Sequence, residues 1–74
     1  MSVAAAFTDG VGTVTSFDDH IGAGMVTDDA TGETWYFHCT RISGDQRSIP
    51  VAAAVTYSVV PGPTGLEATN LNLR

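Results

Sequence analysis

The stretch IGAGMVTDDATGETWYFHC, residues 21–39, carries the clearest structural signal in this chain. Two glycines alternate with small and apolar residues, an acidic segment closed by Gly32 follows, and four consecutive ring-bearing residues occupy positions 35–38. Successive side chains of a β-strand point to opposite faces of a sheet. The stretch therefore predicts a β-hairpin whose second strand turns Trp35 and Phe37 inward and presents Tyr36 and His38 on an outer face.

The composition fits one small folded domain with a strongly acidic surface. The chain has 74 residues, 43% of them hydrophobic and 15% charged, a balance typical of globular rather than disordered sequences. Eight carboxylates stand against three arginines and no lysine, which gives a net charge of −5. Such a chain repels polyanions at long range, so composition alone indicates no phosphate-binding surface.

The ends of the chain and its one cysteine indicate the compartment. A lone Cys39 excludes an internal disulfide and suits a reducing environment. The N-terminal MSVAAAF has no basic residue and is too short to be a signal peptide, and no segment is long and apolar enough to cross a bilayer. We expect a cytoplasmic protein without membrane association.

Beyond the opening hairpin, short runs rich in Val, Thr and aromatic residues alternate with Gly, Pro and Asp, as in small all-β folds. The predicted strands are residues 11–17, 23–27, 34–39, 51–60 and 66–73. A long loop at 40–50, with one 3-10 turn, follows the third strand. Five antiparallel strands with such a connection predict an all-β Greek-key barrel of the OB type.

Two segments are predicted to lie outside the strands. Residues 1–10 are expected to form an N-terminal tail or an extra edge segment that ends in a turn at Asp9–Gly10, with residues 11–74 as the barrel domain. Residues 61–65, PGPTG, are predicted to be a loop, because two prolines cannot serve the interior of a β-ladder.

The predicted core follows from strand parity. Seven side chains share the inward parity on their strands: Val14, Val26, Trp35, Phe37, Val55, Tyr57 and Leu71. Gly22 and Gly24 are expected where a small barrel curves most strongly.

From Gly12 to Leu71 the chain resembles the bacterial cold-shock domain. The family opens its first strand as G-x-V-x-W-F, where this chain has GTVTSF, and its two nucleic-acid motifs read roughly G-F-G-F-I and V-F-V-H-F, where this chain has GAGMV and WYFHC. Further along, VTY stands where the family has V-x-F, and GLEATNL resembles its closing G-x-x-A-x-N-V. The five pieces occur in the family's order and spacing.

This resemblance implies a protein that binds single-stranded RNA or DNA on the outer face of the barrel, where rings stack on unpaired bases. The residues that it singles out are the ring-bearing or flexible Phe17, Met25, Tyr36 and His38, together with the loop cations Arg41 and Arg47. The two arginines either contact backbone phosphate or cover the rim of the core. Phe17 would extend the outer platform from the first strand.

The chain also departs from the family at the positions that bind. Ser16 replaces a Trp, Ala23 and Met25 replace two Phe, and Cys39 replaces a Phe. Flanking lysines are replaced by Thr13, Thr15 and Ile21. Stacking contributes about 1–3 kcal/mol per base, so the resemblance predicts the fold better than the affinity. We expect weak binding.

The alternative is an OB-barrel interaction module that binds a protein and has lost nucleic-acid binding. Ala23, Met25 and Tyr36 would make an adaptable apolar patch for such a partner. No enzyme, cofactor or metal site is predicted. Cys39 follows His38, but adjacent strand residues point apart, and the acidic DDATGE loop lacks the alternating ligands of a calcium loop. The sequence leaves open the choice between RNA and DNA, the sequence preference and the oligomeric state.

Overall fold

In the computed structural model, which describes residues 9–44, 47–63 and 65–74, the strands close into a barrel. The elements in chain order are β1 (Asp9–Asp18), β2 (Ala23–Asp28), β3 (Thr34–His38), a 3-10 helix (Cys39–Arg41), β4 (Ala54–Gly62) and β5 (Gly65–Leu73). The order around the barrel is β1-β2-β3-β5-β4. Neighbours pair antiparallel except at the β3–β5 seam, where Tyr36 meets Glu67 in a parallel pair. The five-stranded OB-type barrel predicted from the sequence is confirmed.

The turns that join the first three strands are held by aspartate side chains. The Asp28 carboxylate accepts from the backbone N–H groups of Ala30 and Thr31, and Gly32 completes the turn with φ +78°. Asp18 does the same for the β1–β2 turn, accepting from the N–H groups of His20 and Ile21. Asp favours such turns because its short side chain satisfies backbone donors two or three residues ahead. These turns set the register of β1, β2 and β3.

The core has the composition that strand parity predicts. Val14, Val26, Phe37 and Val55 are fully buried, with Tyr57 and Leu71 almost so, and Trp35 is half-buried against them. The 40–50 segment adds Ile42 and Ile49 to the same cluster. The predicted inward set is confirmed.

A β-bulge in β1 changes which side chains reach the outer face. Val14 pairs with Val26, but Ser16 rather than Thr15 pairs with Met25. Thr15 and Ser16 are therefore both exposed, and the parity of the strand reverses after them. Phe17 comes to lie opposite Gly24, on the inner side.

The strand boundaries differ from the predicted ones by more than one residue in three places. Residues 1–8 of the predicted tail lie outside the described part of the chain, but Asp9 and Gly10 are not a turn, because both pair with β4. The fourth strand begins at Ala54 rather than at residue 51, because Ala52 adopts a left-handed conformation with φ 77°.

The predicted loop at 61–65 is also wrong, because Pro61 and Gly62 belong to β4 and pair with Leu66 and Gly65. Proline lacks an N–H donor but keeps its carbonyl acceptor, so it is tolerated near the end of a strand, where Pro61 lies.

Candidate nucleic-acid interface

The outer face of β1, β2 and β3 is built from three in-register rows of side chains, and this set is called the platform below. The middle row runs Ser16, Met25, Tyr36 and continues to Glu67 on β5. On one side lies the row Asp18, Ala23, His38, and on the other the row Thr13, Thr27, Thr34. Met25 and Tyr36 are thus direct cross-strand neighbours, close enough for their side chains to touch.

Four of the six predicted binding residues contribute to this region. Met25 and Tyr36 are half-buried on the platform and His38 is exposed at its edge, while Arg41 is half-buried beside them in the 3-10 helix. Arg47 is exposed in the loop before β4 and does not line the groove beside Tyr36. The platform therefore has Arg41 as its neighbouring cation.

Phe17 occupies a different position from the other candidates. Its ring stacks on that of Phe37, with centroids 6.0 Å apart and an interplanar angle of 14°. Phe37 is fully buried, and Phe17 is half-buried against the core. The bulge in β1 thus gives Phe17 a packing role that a regular strand would not.

The hydrogen bonds of His38 fix its tautomer. The backbone N–H of Thr40 donates to His38 Nδ1 at 3.3 Å, so Nδ1 is an acceptor and the neutral ring carries its proton on Nε2. The Thr40 hydroxyl lies 3.0 Å from the same atom. His38 is thereby the N-cap of the 3-10 helix. It offers an Nε2–H donor at the edge of the platform.

A groove of about 300 Å³ opens where β3 meets β5. It is lined by Tyr36, His38, Thr40, Arg41, Pro63 and Glu67. Two residues with flat rings, a proline, an arginine and a glutamate thus line one concave space. Among the described residues of β3 and β5, Tyr36 and Glu67 are the one pair in register across this seam.

Glu67 and Gly62 are the part of this region that sequence reasoning missed. Glu67 is only 3% exposed, and a Cβ built on Gly62 would collide with its carboxylate. The Glu67 carboxylate therefore occupies the space that a side chain at position 62 would fill. A single Glu in a strand normally indicates an exposed charge. The register of β4 and β5, which brings these residues together, is not visible in the sequence.

Cys39 lies closer to His38 than strand geometry predicts. The strand ends at His38, so Cys39 begins the 3-10 helix and its sulfur lies 3.8 Å from His38 Nδ1. That nitrogen already accepts from the backbone of Thr40, and the thiol is buried beside Gly22. The contact is a packing arrangement.

Two aspartates next to the platform have partners in the barrel. Tyr57 donates from its hydroxyl to Asp28, and Asp29 accepts from the Thr13 hydroxyl and pairs with Arg74 at 3.6 Å. Burial, reinforced by the bond to Asp28, raises the pKa of Tyr57 to about 12. The same bond, with the backbone N–H groups of the loop, holds the pKa of Asp28 below its ordinary value.

Comparison with known proteins gives one family and one relative. Residues 10–74 match the family described as the 'Cold-shock' DNA-binding domain. The chain is 38% identical over 61 residues to the cold shock-like protein CspA of Stigmatella aurantiaca (strain DW4/3-1), an alignment that spans 81% of this chain and 90% of that protein. Among residues 9–44, 47–63 and 65–74, no helix is long and apolar enough to span a membrane. The matched residues include the platform and the groove.

Proposed function

The chain belongs to the cold-shock domain family, and on that basis we propose that it binds single-stranded RNA or DNA weakly across its platform. The observation that carries the proposal is the in-register row of Met25 and Tyr36, which leads directly into the groove beside His38 and Arg41. A base stacked on Tyr36 would lie next to a flat imidazole and a donor N–H. Arg41 would meet the backbone phosphate. This is a binding role, without a catalytic step.

Weak binding follows from where the replaced family residues lie. Three of the four lost rings map to the rows of the platform, at Ser16, Ala23 and Met25, although the alanine side chain at position 23 is itself buried; Cys39 belongs to the core cluster. At about 1–3 kcal/mol per stacked base, even the low end of three lost rings is about 3 kcal/mol, or roughly a hundredfold in affinity. Met25 recovers part of this through sulfur–ring contacts.

The charge of the platform points the same way. One row of the platform consists of threonines, of which Thr13 stands where the family has a lysine, and the whole chain has no lysine. Few phosphates are neutralised by such a surface, so few counterions are released on binding. Base stacking, rather than phosphate contact, therefore supplies most of the affinity in this proposal.

The test is a titration of fluorescently labelled short oligonucleotides, in DNA and RNA forms, followed by anisotropy at low salt. Trp35 is packed against the core, so its own fluorescence is an indirect reporter of binding on the platform. Measurable binding that Tyr36→Ala weakens, and that Thr56→Ala on the exposed face of β4 does not, supports the proposal. Wild-type protein that binds no single strand at low salt contradicts it.

A protein partner at the same platform is the second candidate. Met25 replaces a ring with a flexible apolar group and is half-buried, and Ile21 is 69% exposed, whereas Ala23 between them is only 8% exposed. An adaptable apolar surface of this kind suits a protein contact. A reducing cytoplasm, where the buried thiol of Cys39 persists, is the compartment that we propose for either function.

A further inference from the structure

We propose that Glu67 makes the groove at the β3–β5 seam selective for nucleobases that carry an amino group, and unfavourable for thymine and uracil. This inference rests on the proposed single-strand binding and names the part of the ligand that the groove takes.

The position of Glu67 is the first step. It is the cross-strand neighbour of Tyr36 and lines the same groove, so a base stacked on the Tyr36 ring would lie next to it. Glu67 is 3% exposed and its carboxylate is seated over Gly62. A carboxylate that is already held in one position discriminates between ligands better than one on a mobile surface side chain, because less side-chain conformational entropy is lost on binding.

The chemistry of the carboxylate is the second step. An ionised carboxylate only accepts hydrogen bonds, and its two oxygens offer about four acceptor sites, so Glu67 can accept from a ligand in addition to contacts within the protein. Cytosine presents an N4 amino donor, which Glu and Asp side chains accept. Thymine and uracil present a carbonyl oxygen at that position. Their N3–H is flanked by two carbonyls, which a carboxylate repels.

The remaining groove residues complete a site for one base. The Nε2–H of His38 supplies a donor for a base carbonyl, opposite in sense to the acceptor at Glu67. Tyr36 and Pro63 supply flat apolar surface, and Arg41 lies at the same groove for the phosphate. Cytosine, with one carbonyl acceptor and one amino donor, matches both polar groups. Thymine matches only the donor.

The experiment compares oligodeoxycytidylate with oligothymidylate of equal length, at low salt and at a pH above the range in which cytosine is protonated. The wild-type protein is expected to bind the cytosine strand about fivefold more tightly, the low end of the discrimination from one good polar contact to a base edge. Glu67→Gln keeps the shape of the side chain and adds a donor, so the preference should fall toward unity. Glu33→Gln removes a carboxylate from the exposed β2–β3 loop and is the matched charge control. It should keep the preference.

The outcomes separate this inference from the proposed function. Equal binding of the two strands by wild-type protein, or tighter binding of thymine, overturns the role of Glu67 while leaving single-strand binding in place. A loss of preference in Glu33→Gln as large as in Glu67→Gln also overturns it, because the effect would then be one of net charge. No binding of either strand overturns the proposed function and this inference with it. Circular dichroism of each variant checks that the barrel is retained.

Discussion

At the residue scale, the two rings that the sequence treats alike, Phe17 and Tyr36, have different surroundings. Tyr36 lies on the platform beside Met25, whereas Phe17 stacks on the buried Phe37. The difference arises from one extra residue in β1, which reverses the parity of the strand after Thr15. The alternation of apolar and polar residues along β1 does not reveal this bulge.

This difference predicts opposite effects for two alanine substitutions. Tyr36→Ala should cost about 1–3 kcal/mol of oligonucleotide affinity and little stability, because it removes a stacking surface outside the core. Phe17→Ala should lower the free energy of unfolding by about 2 kcal/mol, because it removes a ring packed on Phe37. Urea unfolding and anisotropy titration of both variants measure the two effects. If Phe17→Ala leaves stability unchanged and Tyr36→Ala lowers it, the assigned faces of β1 and β3 are wrong.

A second residue-scale prediction concerns Gly24. A Cβ at this position would collide with the carbonyl oxygen of Ser16 and press on Phe17. Gly24→Ala should therefore destabilise the barrel by about 1–3 kcal/mol, as overpacking does. Gly32→Ala is an informative comparison, since a Cβ there meets open space and any cost comes from its φ of +78°. Thermal unfolding that finds Gly24→Ala as stable as wild type would contradict the close β1–β2 approach.

At the scale of the elements, the hydrogen bond from Tyr57 to Asp28 ties β4 to the end of β2 across the barrel. The pKa of the Tyr57 phenol is raised from 10 to about 12 in the folded protein. Its contribution to the stability of the folded state is therefore fully present below pH 10 and is lost as the pH rises toward 12. The pKa of Asp28 is lowered, so its contribution is present above its ordinary value near 4 and is lost in acid.

Tyr57→Phe tests this tie. We expect it to lower stability at neutral pH by about 1–3 kcal/mol, because Asp28 loses a hydrogen bond to a charged group. The variant should also be less sensitive to pH between 10 and 12 than the wild type. Urea midpoints measured across that range provide the comparison. If the urea midpoints of the two proteins fall in parallel between pH 10 and 12, ionisation of Tyr57 is not the cause of the loss of stability in that range.

The strands themselves were largely predictable, because their apolar residues alternate and the turns between the first three carry Asp and Gly. The end of β4 was not. Proline is normally absent from a strand interior, but Pro61 lies one residue before the end of β4 and pairs with Leu66 of β5. The groove depends on that same register, which brings Glu67 to Gly62 and Tyr36. The part of the site on β3, with Tyr36 and His38, could therefore be predicted from a sequence motif. The part formed by Glu67 and Gly62 could not, because it depends on the pairing of strands that are distant in sequence.

At the scale of the whole molecule, a net charge of −5 should set the salt dependence of binding. A lysine-rich surface loses affinity steeply as salt rises, because each neutralised phosphate releases counterions. Here we expect the slope of log affinity against log salt to be shallow, on the order of one released counterion or fewer, in keeping with Arg41 as the cation beside the platform. Anisotropy titrations over a salt series give the slope. A steep slope would show that cations other than Arg41 contact the phosphates, which would contradict this prediction.

The most direct measurement restores the rings on the existing barrel. Ser16→Trp with Met25→Phe would complete a row of three neighbouring rings with Tyr36, and Ala23→Phe would add a fourth beside it. Thr56→Phe adds one exposed ring on β4, away from the platform, as the matched control. Anisotropy titration with a labelled single strand at low salt should show that the restored double variant binds about thirtyfold more tightly than the wild type, and the control no more tightly. A folded double variant with no gain in affinity would contradict the account of this outer face as a stacking platform weakened by lost rings.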